Sequence, residues 1–400
     1  MSDTNSRVQS LDILRAIAVI LVLGRHMPGC PEDTPLLLRN GMGLWARSGW
    51  IGVDLFFVLS GFLVSGLLFR EFNRHGNVRI GRFLARRGLK IYPAFYVMLS
   101  TTLAIVLWRN GGISLSRYVS ECLFLQSYFP GVWNHTWTLA IEEHFYLLLA
   151  LVVAFLVTRG KRSGSPFASL PWLFYCVAAA VLLLRCMTSF SSTYSHTTHL
   201  FPTHLRIDSL FFGVFLSYLY CFHLDRIEPF TRQFRFHIIA ISLLLLSPVL
   251  FLPLGSTPWL PAFGLTLLYL GFGGIVISTV DWRPNCPRPF RIVGGLLAAI
   301  GFYSYSIYLW HMPVNVWGSG AIRIATGVQI GYWSNLFVYM IGSLIVGVLM
   351  AKLIEMPVLR IRDRYFPSRS QKQVASTKMQ VEQKELSGVT ASPAIEAETQ

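Results

Sequence analysis

Ionisable residues stand inside the first apolar segment of the sequence, residues 12–27, which read DILRAIAVILVLGRHM. Arg15 and His26 are 11 positions apart, and this spacing brings two helical side chains within roughly 20° of one face, about 16 Å apart along the axis. Charged groups within a membrane segment are costly and usually face the protein interior or a wet cavity. Because histidine titrates near neutral pH, His26 is predicted to be a general base; the alternative is a structural histidine at the interface.

The acidic pair Glu142 and Glu143 lies in a second apolar segment, residues 134–155, NHTWTLAIEEHFYLLLALVVAF. Adjacent side chains on a helix point about 100° apart, so only one of the two shares the polar face of Thr138 and Tyr146. The four-residue spacing gives that face to Glu142. We therefore predict a catalytic role for Glu142; the alternative is a structural ion pair with an arginine elsewhere.

Polar residues in three other apolar segments are candidates for the same site. The small residues Ser60 and Gly61 indicate one of two roles. Either they let the donor approach the backbone, or they permit a close contact between two helices. Asp54, His311 and Glu355 are predicted to line the acceptor side of the site. For His311, a plain interfacial role is the alternative.

Arg206 and Asp208 open another apolar segment, RIDSLFFG. They are predicted either to line the site or to neutralise each other at the membrane boundary. The preceding histidines, His196, His199 and His204, lack a nearby acid or cysteine that would complete an ordered ligand set, so no metal site is predicted.

The six cysteines are scattered and form no C-x-x-C pair, which argues against a metal site and against a disulfide framework. Cys30 and Cys122 can both face an oxidising compartment, so a disulfide between them stays open. The sequence also lacks a G-x-S-x-G motif and therefore gives no support to a serine hydrolase.

The composition places this chemistry in a membrane. Hydrophobic residues make up 53% of the 400 residues, and charged residues only 13%, against about a quarter in soluble domains. The net charge of +15 does not indicate nucleic-acid binding. The basic residues lie between long apolar segments, as in the cytoplasmic loops of a multi-pass protein, and not on one polar domain.

Ten segments are apolar and long enough to cross a bilayer, which takes about 20 residues. They are residues 11–27, 50–69, 90–108, 137–157, 171–187, 205–222, 238–254, 259–280, 292–317 and 331–356. The first is predicted to be retained and not cleaved as a signal peptide, because charge interrupts it at both ends. The sequence thus predicts an all-α, polytopic membrane bundle, residues 1–365, and a polar, disordered cytoplasmic tail, residues 366–400.

The loop charges predict the orientation of these helices. Five Lys or Arg residues lie in the odd-numbered connections, whereas 16 lie in the even-numbered ones and five more in residues 357–372. Because cytoplasmic loops carry the excess of Lys and Arg, both termini are predicted to be cytoplasmic.

The first predicted cytoplasmic loop, residues 70–90, is the most basic. Arg82, Arg86 and Arg87 recur at helical spacing and lead, with Lys90, into the third apolar segment. Such a cluster suits a ligand with several phosphates. The alternatives are a topology signal and contact with lipid headgroups.

Seven short motifs, in this order, resemble the acyltransferase-3 family of integral membrane acyltransferases over about residues 11–360. They are LRAIAVILVLGRH, GVDLFFVLSGFL, RRGLKIYPAF, WTLAIEEHFYLL, RIDSLFFG, SYSIYLWHMP and EMP. Lys90 and Thr138 stand where the family often has arginine and serine.

The resemblance implies transfer of an acyl group, often acetyl, from coenzyme A to a hydroxyl of a glycan, lipid-linked sugar or similar acceptor, without a metal, in a bacterial inner membrane. The residues that it assigns are His26 as the catalytic histidine, Arg15, Arg86, Arg87 and Lys90 on the donor side, and Glu142, Arg206 and Asp208 around the site. Many relatives carry a fused extracytoplasmic hydrolase-like domain, and a step that needs such a domain is expected to need a separate partner.

A mechanism follows as a hypothesis. The phosphates of coenzyme A lie against the basic loop, and the pantetheine arm carries the thioester to His26, which takes the proton of the acceptor hydroxyl. Glu142 orients the imidazole or the acceptor, and an acyl-histidine intermediate is the alternative route. The rival function is a transporter or flippase for a lipid-linked saccharide, which fits the helices and buried charges, although no internal repeat is visible.

Overall fold

The computed structural model describes residues 3–160, 165–257, 259–282 and 287–368. Within these ranges the chain forms 15 α-helices and no β-strand, so the predicted all-α class is confirmed for this part of the chain. The helices are α1 Asp3–Arg25, α2 Leu36–Ser48, α3 Gly52–His75, α4 Ile80–Trp108, α5 Leu115–Cys122, α6 Trp137–Gly160, α7 Leu170–Ser191, α8 His196–His199, α9 Ile207–Phe222, α10 Leu224–Phe251, α11 Leu265–Thr279, α12 Arg288–Phe302, α13 Ser304–Thr326, α14 Tyr332–Met350 and α15 Met356–Tyr365. From position 369 onwards, the predicted tail lies outside the described residues, as does Cys286.

Every predicted apolar segment falls on a helix, but the number of membrane crossings is only partly established. Among the described residues, seven helical stretches are long and apolar enough to cross a bilayer, and α12 with α13 makes an eighth if that bent pair is one span. Helix α9 is apolar but has 16 residues, and α1 is not among the seven. The chain is therefore a multi-pass membrane protein, whereas the count of ten and the cytoplasmic position of both termini stay predictions.

Helices α3 and α9 cross in direct backbone contact. A Cβ atom on Gly61 would overlap the carbonyl oxygen of Leu210, and one on Gly213 would overlap the carbonyl oxygen of Val58. Small residues permit such a close approach between membrane helices. The geometry therefore assigns Gly61 to helix packing. The alternative prediction, in which Gly61 receives the donor, does not fit, because α9 covers this position.

Helix α1 is packed between α3 and α12. A Cβ atom on Gly52 of α3 would overlap the carbonyl oxygen of Ala18, and one on Gly301 of α12 would overlap the carbonyl oxygen of Asp12. Glycines on both neighbours thus bring their backbones against α1. This packing fixes the helix that leads to the predicted catalytic histidine.

Two irregularities interrupt the helices near the predicted site. Helices α12 and α13 meet at Tyr303 with a bend of 72°, although the sequence predicts one continuous segment, residues 292–317. A π-helical turn, Ala351–Glu355, separates α14 from α15, and such turns often occur at functional sites. His311, after the bend, and Glu355, in the π-helical turn, are both buried.

The cysteines that the structure describes are free thiols. Cys30 Sγ lies 3.9 Å from the sulfur of Met42. Cys122, at the end of α5, is also free. The disulfide left open by the sequence between Cys30 and Cys122 is therefore not formed.

Candidate active site

The first of two neighbouring cavities has a volume of about 290 Å³ and lies between α1, α3, α4, α6, α13 and the π-helical turn. We call it the cationic cavity, because basic side chains predominate among the charged groups that line it. These charged groups are Arg15, Arg70, Arg87, Lys90, Glu142 and Glu355. Aromatic and aliphatic side chains of α3 form much of the remaining wall, and Ser60 lies among them.

Glu142 is part of a hydrogen-bond chain in the cationic cavity. Tyr146 Oη donates to Glu142 Oε2 at 3.1 Å and lies 2.8 Å from Ser60 Oγ. Thr138 lines the same cavity, so the polar face predicted for α6 is the face that turns inward. Glu143 does not line this cavity and instead accepts a hydrogen bond from Tyr92 Oη at 2.8 Å.

The basic cluster at the start of α4 forms an approach to the cationic cavity. Arg82, Arg86 and Arg87 line a small cavity of about 60 Å³, and Arg87 also lines the cationic cavity. Arg86 forms an ion pair of 3.1 Å with Asp363 of α15 and donates to the carbonyl oxygen of Phe366. The C-terminal helix thus borders the approach, which no feature of the sequence indicates.

The second cavity has a volume of about 260 Å³ and shares two lining residues, Val53 and Tyr308, with the cationic cavity. We call it the histidine cavity, because His26, His135 and His196 line it. Its other lining residues are Val22, Arg25, Trp50, Asn134, Trp137, Thr197, Leu200 and Phe201. Arg15 of α1 and His26, one residue beyond the end of α1, therefore line different cavities, although they are predicted to share a helix face. Val53 and Tyr308 line both cavities, and we call this pair the partition.

His26 is held through its Nδ1 atom. This atom lies 3.2 Å from the carbonyl oxygen of Val22 and 3.3 Å from Nε2 of His311. A carbonyl oxygen only accepts hydrogen bonds, so we assign the hydrogen of His26 to Nδ1. His311 Nδ1 lies against the carbonyl oxygen of Tyr308, so His311 offers its unprotonated Nε2 to His26 by the same reasoning. The arrangement leaves the lone pair on Nε2 of His26, which is the form that a general base requires.

His135 also lines the histidine cavity, and none of the sequence motifs indicates it. Its Nε2 lies 3.2 Å from the carbonyl oxygen of Leu309, and its ring centre lies 4.9 Å from that of His311. His135 belongs to a 3₁₀ turn just before α6. The buried carboxylate of Glu121 anchors this turn, because it accepts from the backbone N–H of Val132 at 2.8 Å and from Thr136 Oγ1. The only signal in the sequence is a histidine three residues before Thr138.

The two predicted catalytic residues lie in different cavities. Glu142 lines the cationic cavity and His26 the histidine cavity, and no hydrogen bond joins them within the described part of the chain. The predicted orienting of the imidazole by Glu142 does not fit this geometry, because His311 makes that contact. Among the described residues, no group of three His, Cys, Asp or Glu could hold a metal ion.

Asp54, Arg206 and Asp208 form part of a buried ion-pair network. Arg206 Nη2 donates to Asp54 Oδ1 at 2.8 Å, and Asp208 pairs with Arg185 of α7, which the sequence analysis does not single out. The prediction that Arg206 and Asp208 neutralise each other misses these partners, because the choice of partner depends on tertiary packing. None of these four residues lines either cavity, so the prediction that Asp54, Arg206 and Asp208 line the site does not fit these two cavities.

Arg206 nevertheless supports the walls of the site. Its guanidinium lies 5.5 Å from the ring centre of Phe57 and 5.8 Å from that of Trp137. Phe57 lines the cationic cavity, and Trp137 lines the histidine cavity. Trp137 also stacks on Phe201, with 4.8 Å between the ring centres and 13° between the planes. The ion-pair network therefore acts on both cavities through aromatic rings.

These features define a helical membrane protein in which a cationic cavity meets a cavity that contains a histidine with a free lone pair. The chain belongs to the acyltransferase-3 family, because a family model described as an acyltransferase domain matches residues 8–352. The match confirms the family predicted from the seven motifs.

The relatives that the chain resembles carry related names. A Staphylococcus aureus (strain COL) protein named "Putative O-acetyltransferase SACOL0978" is 30% identical over 328 residues, which are 77% of this chain and 50% of that protein. O-acetyltransferase OatA of Staphylococcus aureus (strain NCTC 8325 / PS 47) is 28% identical over 324 residues, or 76% of this chain and 50% of OatA. The chain thus spans about half the length of these curated relatives. No solved structure matches it significantly.

Proposed function

We propose that this chain is a membrane O-acyltransferase that moves an acyl group, in the first instance acetyl, from coenzyme A to a hydroxyl of a glycan, lipid-linked sugar or similar acceptor. The observation that carries the proposal is the partition, because Val53 and Tyr308 line both the cationic cavity and the histidine cavity. A thioester that enters through the cationic cavity therefore ends its path beside the histidine cavity.

The approach along α4 suits the phosphates of coenzyme A. Guanidinium groups bind phosphate through paired hydrogen bonds, and Arg82 and Arg86 offer such groups next to Arg87, which leads into the cationic cavity with Lys90. The apolar walls of that cavity suit the uncharged pantetheine arm. In this proposal residues 70–90 and both termini face the cytoplasm of a bacterium, and the histidine cavity opens toward the opposite side of the inner membrane.

His26 is the general base in this proposal. The acceptor hydroxyl in the histidine cavity attacks the thioester carbonyl while His26 Nε2 takes its proton. The carbon–sulfur bond then breaks, and the departing thiolate of coenzyme A takes the proton back from the imidazolium. Positioned general bases contribute about 10²- to 10⁴-fold to a rate. In the alternative route, His26 Nε2 first takes the acyl group itself and then passes it to the hydroxyl.

Glu142 belongs to the donor half of this mechanism. It lines the same cavity as Arg87 and Lys90 and accepts a hydrogen bond from Tyr146. We propose that this network holds the cations in place around the pantetheine arm. Glu142 therefore positions the donor, and the imidazole keeps its own support from His311.

Release of free thiol tests this function directly. Purified protein in lipid nanodiscs is given acetyl-coenzyme A with methyl β-D-glucoside or methyl β-D-glucuronide, and the new thiol is measured with a colorimetric reagent. The wild type should release thiol and acetylate a sugar, His26→Ala should do both about 10²- to 10⁴-fold more slowly, and the control His237→Ala, on α10 and outside both cavities, should keep full activity. Full activity in His26→Ala contradicts the proposal, and transport of a lipid-linked saccharide without thiol release favours a flippase.

Cysteine labelling tests the proposed orientation. A cysteine at position 75, which is exposed at the end of α3, is introduced into a variant without the native cysteines. An impermeant maleimide applied to intact cells should leave this position unlabelled and should label it after the membrane is broken. Labelling from outside would mean that the basic approach does not face the cytoplasm, and the donor route would have to be abandoned.

A further inference from the structure

Arg25 is a charged wall residue of the histidine cavity, for which the proposed mechanism has no use. It ends α1, one position before His26, and it is half-buried. Its Nη1 donates to the carbonyl oxygen of Ala46 at 3.3 Å. That single bond uses one of the five N–H groups of the guanidinium, so most of its donors are left for a ligand.

The charge of Arg25 has no acidic side chain to balance it among the described residues that line the histidine cavity. Among the described residues that line it, Arg25 is the only side chain with a permanent charge, and none is Asp or Glu. No ion pair with a carboxylate forms at Arg25 within the described part of the chain. Burial, and then the charge of Arg25, lower the pKa of His196, which lines the same cavity. A neutral His196 adds no second charge, and Arg25 remains the cation of the cavity.

The other walls of the histidine cavity suit a sugar ring. Trp50 and Trp137 line it, and Trp137 is held flat against Phe201. Asn134 and Thr197 add donors and acceptors beside these rings. A few polar groups on mostly apolar and aromatic walls are typical of a site for a small organic ligand.

We propose that the histidine cavity is a subsite for an anionic acceptor, a hydroxyl-bearing sugar with a carboxylate or a phosphate that pairs with Arg25. This inference rests on the proposed acyl transfer. The negative charge of the acceptor balances the positive charge of Arg25. Two N–H groups of the guanidinium hold the anion in one orientation. Because Arg25 and His26 are neighbours, the same contact presents a hydroxyl of the acceptor to the base.

Binding measured without the donor tests this subsite separately from catalysis. Tryptophan fluorescence of the purified protein in nanodiscs, which includes Trp50 and Trp137 in the cavity wall, is titrated with methyl β-D-glucuronide, methyl β-D-glucoside and glucose 6-phosphate. A hydrogen bond to a charged group favours the charged sugar by roughly tenfold or more in affinity. If the glucuronide binds more tightly than glucose 6-phosphate, the natural anion is a carboxylate. If glucose 6-phosphate binds more tightly, the anion is a phosphate.

Variants at one position decide the role of Arg25. Arg25→Gln should abolish the preference for the anionic sugar, Arg25→Lys should keep part of it, and the control Arg47→Gln, an exposed arginine of α2 outside the cavity, should keep it entirely. Equal binding of charged and neutral sugars by the wild type, binding of neither, or a preference that survives in Arg25→Gln would each overturn the proposal.

Turnover separates this subsite from a role in the chemical step. If Arg25 serves the acceptor, Arg25→Gln should raise the KM for the glucuronide by a much larger factor than the KM for the glucoside. An equal loss with both sugars would instead mean that Arg25 stabilises the transition state, and the subsite would be rejected. Thiol release by the wild type in the same preparation shows whether the proposed function itself holds.

Discussion

The contact between His311 and His26 leads to a prediction that can be worked through in numbers. His311→Ala removes the acceptor that lies 3.3 Å from His26 Nδ1, while the carbonyl oxygen of Val22 remains at 3.2 Å. The remaining bond still fixes the hydrogen on Nδ1, so the base keeps its free lone pair. The loss is therefore that of one hydrogen bond, about 0.5–1.5 kcal/mol, or roughly a two- to twelvefold fall in kcat. His26→Ala removes the base itself and should lower kcat by about 10²- to 10⁴-fold.

A double-mutant cycle shows whether His311 acts through His26. Thiol release from acetyl-coenzyme A is measured at saturating donor for the wild type, the two single variants and the double variant. If His311 is a positioning residue, the double variant should be as active as His26→Ala alone, because residues that act as a unit are not additive. The KM for the donor should not change in His311→Ala, since His311 lines neither cavity.

Two results would refute this reasoning. One is a further fall in kcat when His311→Ala is added to His26→Ala, because His311 would then act on the reaction independently. The other is a loss in His311→Ala as large as that in His26→Ala, because one hydrogen bond cannot account for it. Since His311 is fully buried, thermal unfolding of each variant is measured alongside, and His311→Gln, which keeps an acceptor oxygen, should recover part of the rate.

Three further predictions concern the donor, the packing and the ion pairs. Arg87→Gln should raise the KM for acetyl-coenzyme A by about tenfold, the value of a lost hydrogen bond to a charged group. The control is Arg159→Gln, at a residue that lines neither main cavity, and it should leave this KM unchanged. Equal KM values for the two variants would exclude Arg87 from donor binding. Gly61→Val should destabilise the protein by about 1–3 kcal/mol or more in thermal unfolding, because α9 leaves no room beside it, and unchanged stability would contradict that contact. Arg206→Met should lower the free energy of unfolding by about 3–5 kcal/mol, because it leaves the buried carboxylate of Asp54 without its partner. Adding Asp54→Leu should recover much of that loss. A double variant that unfolds as easily as Arg206→Met would contradict the pairing.

Local patterns in the sequence were sufficient to predict the helices and the face of a helix on which some polar residues lie. The spacing of Arg15 and His26 predicts one helix face and two depths along it, and in the structure Arg15 of α1 and His26, just after α1, line two adjoining cavities. The polar face of Glu142 is correct for the same reason, because the period of a helix is fixed by its backbone. The role of each residue in catalysis stays a prediction.

Contacts between distant parts of the chain could not be predicted in the same way. The partner of Asp208 is Arg185, on another helix, and no local pattern ranks one distant arginine above another. The bend at Tyr303 falls within a continuous apolar segment, and apolarity alone does not report where a helix breaks. His135 was missed because it lies in a 3₁₀ turn just before α6. The α-helical period does not predict the direction of a side chain in such a turn.

The partition has a consequence for the membrane as an insulator. Val53 and Tyr308 are the residues common to both cavities, and the Tyr308 hydroxyl donates to the carbonyl oxygen of His135 at 2.6 Å. In the proposed function, the acyl group passes from the cationic cavity to the histidine cavity beside these two side chains, and coenzyme A itself stays on the donor side. Such an enzyme would spare its host the leak that an open channel between the same two solutions would cause.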